Sequence, residues 1–262
     1  MSAQNPSIRR VGLARALSKL GYCSRSRAVE LIHARRVAVN GAIRSDPESP
    51  VRMQRDRIQV DGSEIASQHR VYLVMNKPRG VVTTAADEKG RDTVYSLLSD
   101  GLPWIAPVGR LDKASEGLLL LTNDSEWAAR ISAPETHLDK VYHVQIARVA
   151  DAVLMEKITK GSTVREGNRL GTKAARILRG GEKNTWLEIV LDEGKNRHIR
   201  RMLAVLGIEV LRLVRIAVGP LTLGDLAKGA SRRLTEAEKK RLDAAMNWRP
   251  KPDHRATEDT KK

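Results

Sequence analysis

Gly109-Arg110-Leu111-Asp112-Lys113-Ala114-Ser115-Glu116-Gly117-Leu118-Leu119-Leu120-Leu121-Thr122-Asn123-Asp124 joins a charged turn to four consecutive leucines. So short an apolar run reads as a strand buried on both faces of a sheet. The turn therefore sets Arg110 and Asp112 at the mouth of a buried sheet. An ionised carboxylate in such a place is costly unless paired, which marks Asp112 as a candidate site residue. By itself, Asp112 reads equally well as a turn aspartate capping its own backbone.

Outward from that strand the pattern is mixed. Residues 71–75 form an apolar run ended by the turn composition Asn76-Lys77-Pro78-Arg79-Gly80. Residues 81–84 read as a β-branched strand, and Asp92 as the cap of a short helix through Leu98. Asn123 or Asp124 starts a helix that carries Trp127 and Ile131 and stops near Pro134. Strands are expected over 141–146, 185–191 and 210–218. Asp151 caps a helix ending at Gly161, and residues 196–206 form another with Gly207 beyond it. Thr235 and Glu238 make a capping box for the last helix. With no internal repeat, this order predicts an α+β fold with a mixed, mostly antiparallel sheet.

Ahead of that sheet lies a smaller unit. Leu13, Leu17 and Leu20 recur at helical spacing before Gly21, and Ser24 caps a second helix with Val29 and Ile32 inward. Asn40-Gly41 and Asp61-Gly62 are two-residue hairpin signals. The expected divisions are a helix-hairpin module over 8–68, a larger domain over 70–247 and a disordered tail over 248–262. Residues 1–68 hold twelve basic side chains, eleven of them arginine, against six acidic ones. Arginine's planar fork suits phosphate better than a lysine point charge. Arg25 and Arg27 are the candidate contacts there.

The whole chain of 262 residues carries a formal charge of +16, which points to a polyanionic partner, nucleic acid before an anionic membrane. No apolar run reaches 18 residues, so no membrane-spanning helix is expected. The polar first ten residues lack a signal peptide's apolar centre. One cysteine, Cys23, permits no internal disulfide and fits a cytoplasmic location. No phosphate-binding glycine loop and no metal-ligand spacing occurs, so neither cofactor nor metal is expected. The basic surface makes a monomer the default expectation.

Two further residues stand near Asp112 in this reading. On the helix over 196–206 the apolar stripe is Ile199, Met202, Leu203 and Leu206. Arg200 lies at its margin, where it could dip into a cleft and pair with a buried carboxylate, while Arg197 and Arg201 point away toward RNA backbone. Tyr142 shares a strand face with Val144 and Ile146. That is the pattern of a core tyrosine with its hydroxyl satisfied. His143 and His198 are read as surface or core histidines.

The stretch around Asp112 closely resembles the signature of RNA pseudouridine synthases of the RsuA type, the bacterial ribosomal RNA enzymes. Residues 20–28 and 35–41 likewise look like the S4-type RNA-binding domain. The resemblance covers about residues 10–245. It implies that Asp112 is catalytic, that Tyr142 of Lys-x-Tyr stacks on the target base, and that Arg200 contacts the aspartate. It further implies that Arg110 enters the space vacated by a flipped base. Ser115 replaces the family's usual threonine and Ser125 a common glycine, which touches loop geometry only.

The implied reaction breaks the nitrogen–ribose bond of a uridine in ribosomal RNA, rotates the uracil and rejoins it through carbon five, with no cofactor. The uridine must first leave its stack, which costs a few kcal/mol. Asp112 acts on the sugar as nucleophile or as base. Trp104-Ile105 before the motif resembles the large-subunit branch of the family, which implies large-subunit RNA as the target. The competing readings are a non-catalytic RNA-binding ribosome assembly factor and a DNA-binding regulator. The first requires a damaged Asp, Tyr or basic residue, and the second a recognition helix; the sequence offers neither.

Overall fold

The computed structural model describes residues 10–66, 68–84, 90–164 and 169–248. The expected tail lies outside them from residue 249 onward.

The N-terminal unit is built from α1 (Leu13–Lys19), α2 (Arg25–His33) and a four-stranded antiparallel sheet. Ser24 caps α2 by accepting the Arg27 amide at 3.0 Å. Both hairpins turn through paired left-handed residues, Asn40-Gly41 and Asp61-Gly62, the backbone that primed turns demand. Leu13, Leu17, Ile32 and Val37 are fully buried in a core of its own. Lys19 reaches Glu126 of the larger unit at 2.9 Å, and the Gln68 amide donates to the Leu20 carbonyl.

The larger unit is one twisted sheet. Its main strands are β1 (Tyr72–Lys77), β2 (Glu116–Thr122), β3 (Lys140–Ile146), β4 (Ala174–Gly180), β5 (Thr185–Leu191), β6 (Val210–Val218) and β7 (Ser231–Arg233), in the spatial order β4-β5-β3-β6-β2-β1-β7. All neighbours are antiparallel except β6 and β2. The leucine run is buried on both faces, as its composition predicts. Leu118 and Leu120 pack with Trp127, Ile131 and Leu242, while Leu119 and Leu121 pack with Val94, Ile105 and Leu111. The first group belongs to α3 (Ser125–Ser132), capped by Asp124, and to α6 (Glu236–Ala245), whose capping box is present. On the other half, α4 (Ala152–Lys160) and α5 (His198–Val205) cover one face of β3, β5 and β6.

The parallel contact between β6 and β2 joins the two halves through only two register pairs, Val214–Glu116 and Arg215–Gly117. Gly117 has φ +102°, and a Cβ there would stand 2.2 Å from the Arg215 carbonyl oxygen. Only glycine lets the strands approach so closely. Beside it, buried Glu116 is held by Arg212 at 3.0 Å and Lys228 at 3.0 Å. Burial works against that carboxylate's charge, yet the two cations hold it below the usual range.

Several local expectations differ from the structure. Residues 81–84 form a single bridge, Val82 to Thr93, rather than a strand. The helix expected from Asp92 is a 3-10 turn over Val94–Leu97 capped by Thr93. The helix expected from 196 begins at His198, because Arg197 is left-handed with φ 49°. Strand β4 carries no expectation at all: no residue of it is buried, so no alternation betrays it.

Candidate active site

Asp112 sits in the loop between the Ala106–Val108 strand and β2, and its position is fixed by the backbone around it. Ser115 donates its amide to the Asp112 carbonyl at 2.9 Å, and Gly80 donates to Lys113 at 2.8 Å. Thr83 donates its hydroxyl to the Leu111 carbonyl at 2.8 Å. Beneath the turn lies Lys77, fully buried, its ammonium donating to the carbonyls of Pro78, Asp112 and Ser115 at 2.9–3.2 Å. Burial pushes this lysine down to about 8, against the pull of Asp112 and Glu116. An ammonium with three carbonyl acceptors is a clamp on the turn. Composition read residues 76–80 as a turn, and a lysine ending an apolar strand before proline was its only sign.

A cavity of about 410 Å³ opens beside the loop, lined among others by Arg110, Asp112, Lys140, Tyr142, Arg197 and Arg215. Tyr142 is 9% exposed, faces the core side of β3 with Val144 and Ile146, and turns one surface to the cavity. Arg110 is exposed at the rim.

The arginines of the 196–206 segment are arranged differently from the helical projection. Arg197 is the one at Asp112, with Nη1 3.5 Å from Oδ2. Arg200 donates instead to the Ala114 carbonyl and the Val210 carbonyl, each at 3.1 Å, so it braces the loop that carries Asp112. Its guanidinium is pushed down by burial first and by the Arg197 charge second, with Asp112 pulling the other way. The projection failed at Arg197 because it assumed helical backbone. A left-handed residue at the helix start swings its side chain back over the cavity. Arg201 follows on α5 outside the cavity lining. Arg25 and Arg27 open α2 in the N-terminal unit, away from the cavity, and Arg27 pairs with Glu30 at 2.7 Å.

His198 is buried, with Nε2 2.8 Å from the Gly171 carbonyl oxygen. That acceptor places the ring proton on Nε2, and burial lowers the imidazole's pKa. His143 lies half-buried against Glu188 at 3.4 Å. Among the described residues no cluster of three His, Cys, Asp or Glu is placed to hold a metal. The cavity thus combines the Asp112 and Glu193 carboxylates, the Tyr142 ring and several cations. It suits one unit of an anionic polymer entering sideways, with its phosphates near the cations and its ring near Tyr142.

The RNA pseudouridylate synthase family matches residues 71–205, and the S4 domain matches residues 11–58. The chain is 36% identical over 233 residues to the ribosomal large subunit pseudouridine synthase B of Bacillus subtilis, covering 88% of this chain and 95% of that protein. It is 36% identical over 246 residues to an RNA pseudouridine synthase of Aquifex aeolicus, covering 94% and 98%. A crystal structure of a pseudouridylate synthase superposes with a TM-score of 0.63 at 28% identity, covering 88% of this chain and 99% of that one.

Proposed function

The chain belongs to the RNA pseudouridylate synthase family, and from that premise we propose that it isomerises one uridine of large-subunit ribosomal RNA, with Asp112 as the catalytic group. The enzyme class follows from the family. The RNA and the residue roles are the proposal. The large-subunit target is supported by the name of the Bacillus subtilis relative.

One observation carries the residue assignment. Asp112, Tyr142 and the Arg197 guanidinium line one cavity, and the loop that carries Asp112 is held by Lys77 and Arg200. A uridine flipped into it presents its sugar to Asp112 and its base to Tyr142. The N1–C1′ bond breaks, the uracil turns, and C5 bonds to C1′. The proton leaving C5 is balanced by one gained at N1, so the product is an isomer. Asp112 acts on the ribose as nucleophile or as base, with the Arg197 guanidinium 3.5 Å from its carboxylate. Stacking on Tyr142 offsets part of the unstacking cost, at about 1–3 kcal/mol. Arg110, at the rim, fills the gap the base leaves in the RNA. Arg197, Arg201, Arg25 and Arg27 hold RNA backbone, and Arg200 holds the loop.

In this reading residues 8–68 form the RNA-selecting module and 70–247 the catalytic domain. The enzyme works in the cytoplasm as a monomer, without metal or cofactor. A non-catalytic assembly factor on the same fold is the disfavoured alternative, since the carboxylate, the tyrosine and the arginines are all in place.

Pseudouridine mapping of ribosomal RNA, from cells with and without the gene, tests the proposal. One modification is expected to vanish with the gene and to return with the intact gene but not with Asp112→Asn. An unchanged map, together with no product on a purified ribosomal transcript, overturns it.

A further inference from the structure

Two cations in the cavity wall, Lys140 and Arg215, have no individual role so far. Arg215 lies on β6 opposite Tyr142, and Lys140 stands two residues before Tyr142 on β3. Residues 140 and 142 share a strand face, and both side chains line the cavity with Asp112. A register shift in the β3–β6 pairing falls between Arg215 and Ala217. Such a bulge re-aims the side chains beside it.

Arg215 is 8% exposed. Its Nε donates to the Leu118 carbonyl at 2.8 Å. Its two terminal nitrogens bond no described residue. Lys140 is half-buried and makes one long contact, 3.4 Å to the Asp192 carbonyl. The nearby acids have other partners, Asp139 taking Lys173 on both oxygens at 2.8 Å and Asp192 lying 3.9 Å from His137, although the charges of both still favour the Lys140 ammonium. Among the described residues neither cation has a carboxylate within ion-pair distance. Burial, with the Arg215 charge second, pushes the Lys140 ammonium below its usual range. Two like charges held together under burial cost free energy unless an anion joins them.

We propose that Lys140 and Arg215 form a phosphate subsite, which holds a backbone phosphate of the RNA while its uridine lies between Tyr142 and Asp112. This rests on the function proposed above and deepens it. Arg215 offers paired N–H groups to two phosphate oxygens, and Lys140 adds a movable point charge. Their neighbour along the wall is Tyr142, roughly 6.6 Å from Lys140 along the strand, about the separation of a base from its own phosphate. The subsite therefore pulls the flipped nucleotide in by its phosphate. It does so independently of which base is attached.

The test uses the full chain and pairs one variant with one altered RNA. Lys140→Met carries it, because Arg215 also anchors Leu118 and its loss disturbs the sheet. The RNA is a uridine-containing stem-loop in which the phosphates on either side of the target uridine are replaced, one at a time, by neutral methylphosphonate. For the unmodified RNA, Lys140→Met is expected to weaken binding about tenfold to a hundredfold. It should also lower the slope of log K against log salt by about 0.7. At one of the two positions the neutral linkage should cost the wild-type protein a similar factor. The same linkage should cost Lys140→Met less than threefold, because the contact is already gone. Equal losses in both proteins at both positions, or an unchanged salt slope, overturn the subsite. If the couplings appear but the wild-type protein forms no pseudouridine, the function proposed above fails and the subsite stands.

Discussion

Arg197 holds Nη1 3.5 Å from Asp112 Oδ2, while Arg200, three residues on, gives its guanidinium to the carbonyls of Ala114 and Val210. The two arginines thus do different physical work. One lies beside the carboxylate in a partly exposed position, with 51% of its side chain accessible. The other stitches α5 and β6 to the loop that carries the carboxylate. At 3.5 Å the contact with Asp112 is loose, which leaves Arg197 free to move when RNA enters.

That division makes the two arginines separable by mutation. Arg197→Gly removes the guanidinium and also relieves a left-handed backbone at φ 49°, which glycine adopts without strain. Its thermal stability is expected to equal or exceed that of the wild type, with activity reduced at least tenfold. Arg200→Met leaves two carbonyls without their donor, and about 1–3 kcal/mol of stability should be lost. Thermal melts and single-turnover rates on the two variants check this. Loss of stability in Arg197→Gly alone would reverse the assignment.

Asp112→Asn keeps the shape of the side chain and removes its charge. Isomerisation should fall by at least about a thousandfold, the scale expected when an essential catalytic group is lost. RNA affinity should stay within a few-fold, because the surrounding cations remain. Tritium release from C5-labelled RNA measures the first, and filter binding the second.

The sequence disclosed those parts that depend on short-range pattern. Leu118–Leu121 are buried on both faces because an unbroken apolar run has nowhere else to go. Thr235 and Glu238 form their box because its spacing is local. Ser24, Asp124 and Asp151 cap their helices for the same reason. Features set by long-range contact were not legible. Lys77 is a clamp because residues 112 and 115 fold over it. Lys140 and Arg215 come to line one cavity only through strand pairing. Strand β4 is an exposed edge without alternation, and the turn of backbone at Arg197 has no residue signal, since arginine is not a left-handed former.

Glu238 gives a stability change with pH whose sign is fixed. It accepts from the Thr235 amide at 2.8 Å and from both terminal nitrogens of Arg232 at 2.8 Å. The Arg232 hydrogen bonds hold it down to about 2, from an ordinary 4.5. A lowered folded value means that the unfolded chain binds the proton more readily. The stabilisation is therefore complete above about pH 4.5 and fades as pH falls toward 2. Glu238→Ala should cost about 1 kcal/mol at neutral pH. The gap between wild-type and variant melting temperatures should narrow steadily from pH 5 to pH 3. A constant gap would show that the carboxylate's charge contributes nothing.

Arg25 and Arg27 test the N-terminal unit's part in RNA binding without cutting the chain. Both belong to the exposed first turn of α2. Converting both to Gln should leave stability within about 0.5 kcal/mol, as for surface positions generally. If each meets one phosphate of duplex RNA, the slope of log K against log salt should fall by nearly two, about 0.9 for each contact. An unchanged slope would remove this face from the RNA interface.

Gly117 is where the two half-sheets depend on a missing side chain. At φ +102°, with backbone of Arg215 on the far side, Gly117→Ala cannot be relieved by rotating a neighbour. The Cβ must push β2 from β6, and those strands share only two register pairs. Three consequences should appear together. Melting temperature should fall by the equivalent of more than about 3 kcal/mol, beyond ordinary overpacking. Arg215 should lose its hold on the Leu118 carbonyl. Activity should drop even at temperatures where the variant stays folded, since β2 begins directly after the Asp112 loop and β6 forms the opposite wall. Hydrogen exchange of the amides of Leu118 and Leu119 is the sharpest readout. Protection equal to the wild type, in a folded Gly117→Ala protein, would mean that the close approach is not what keeps the two walls of the cavity in place.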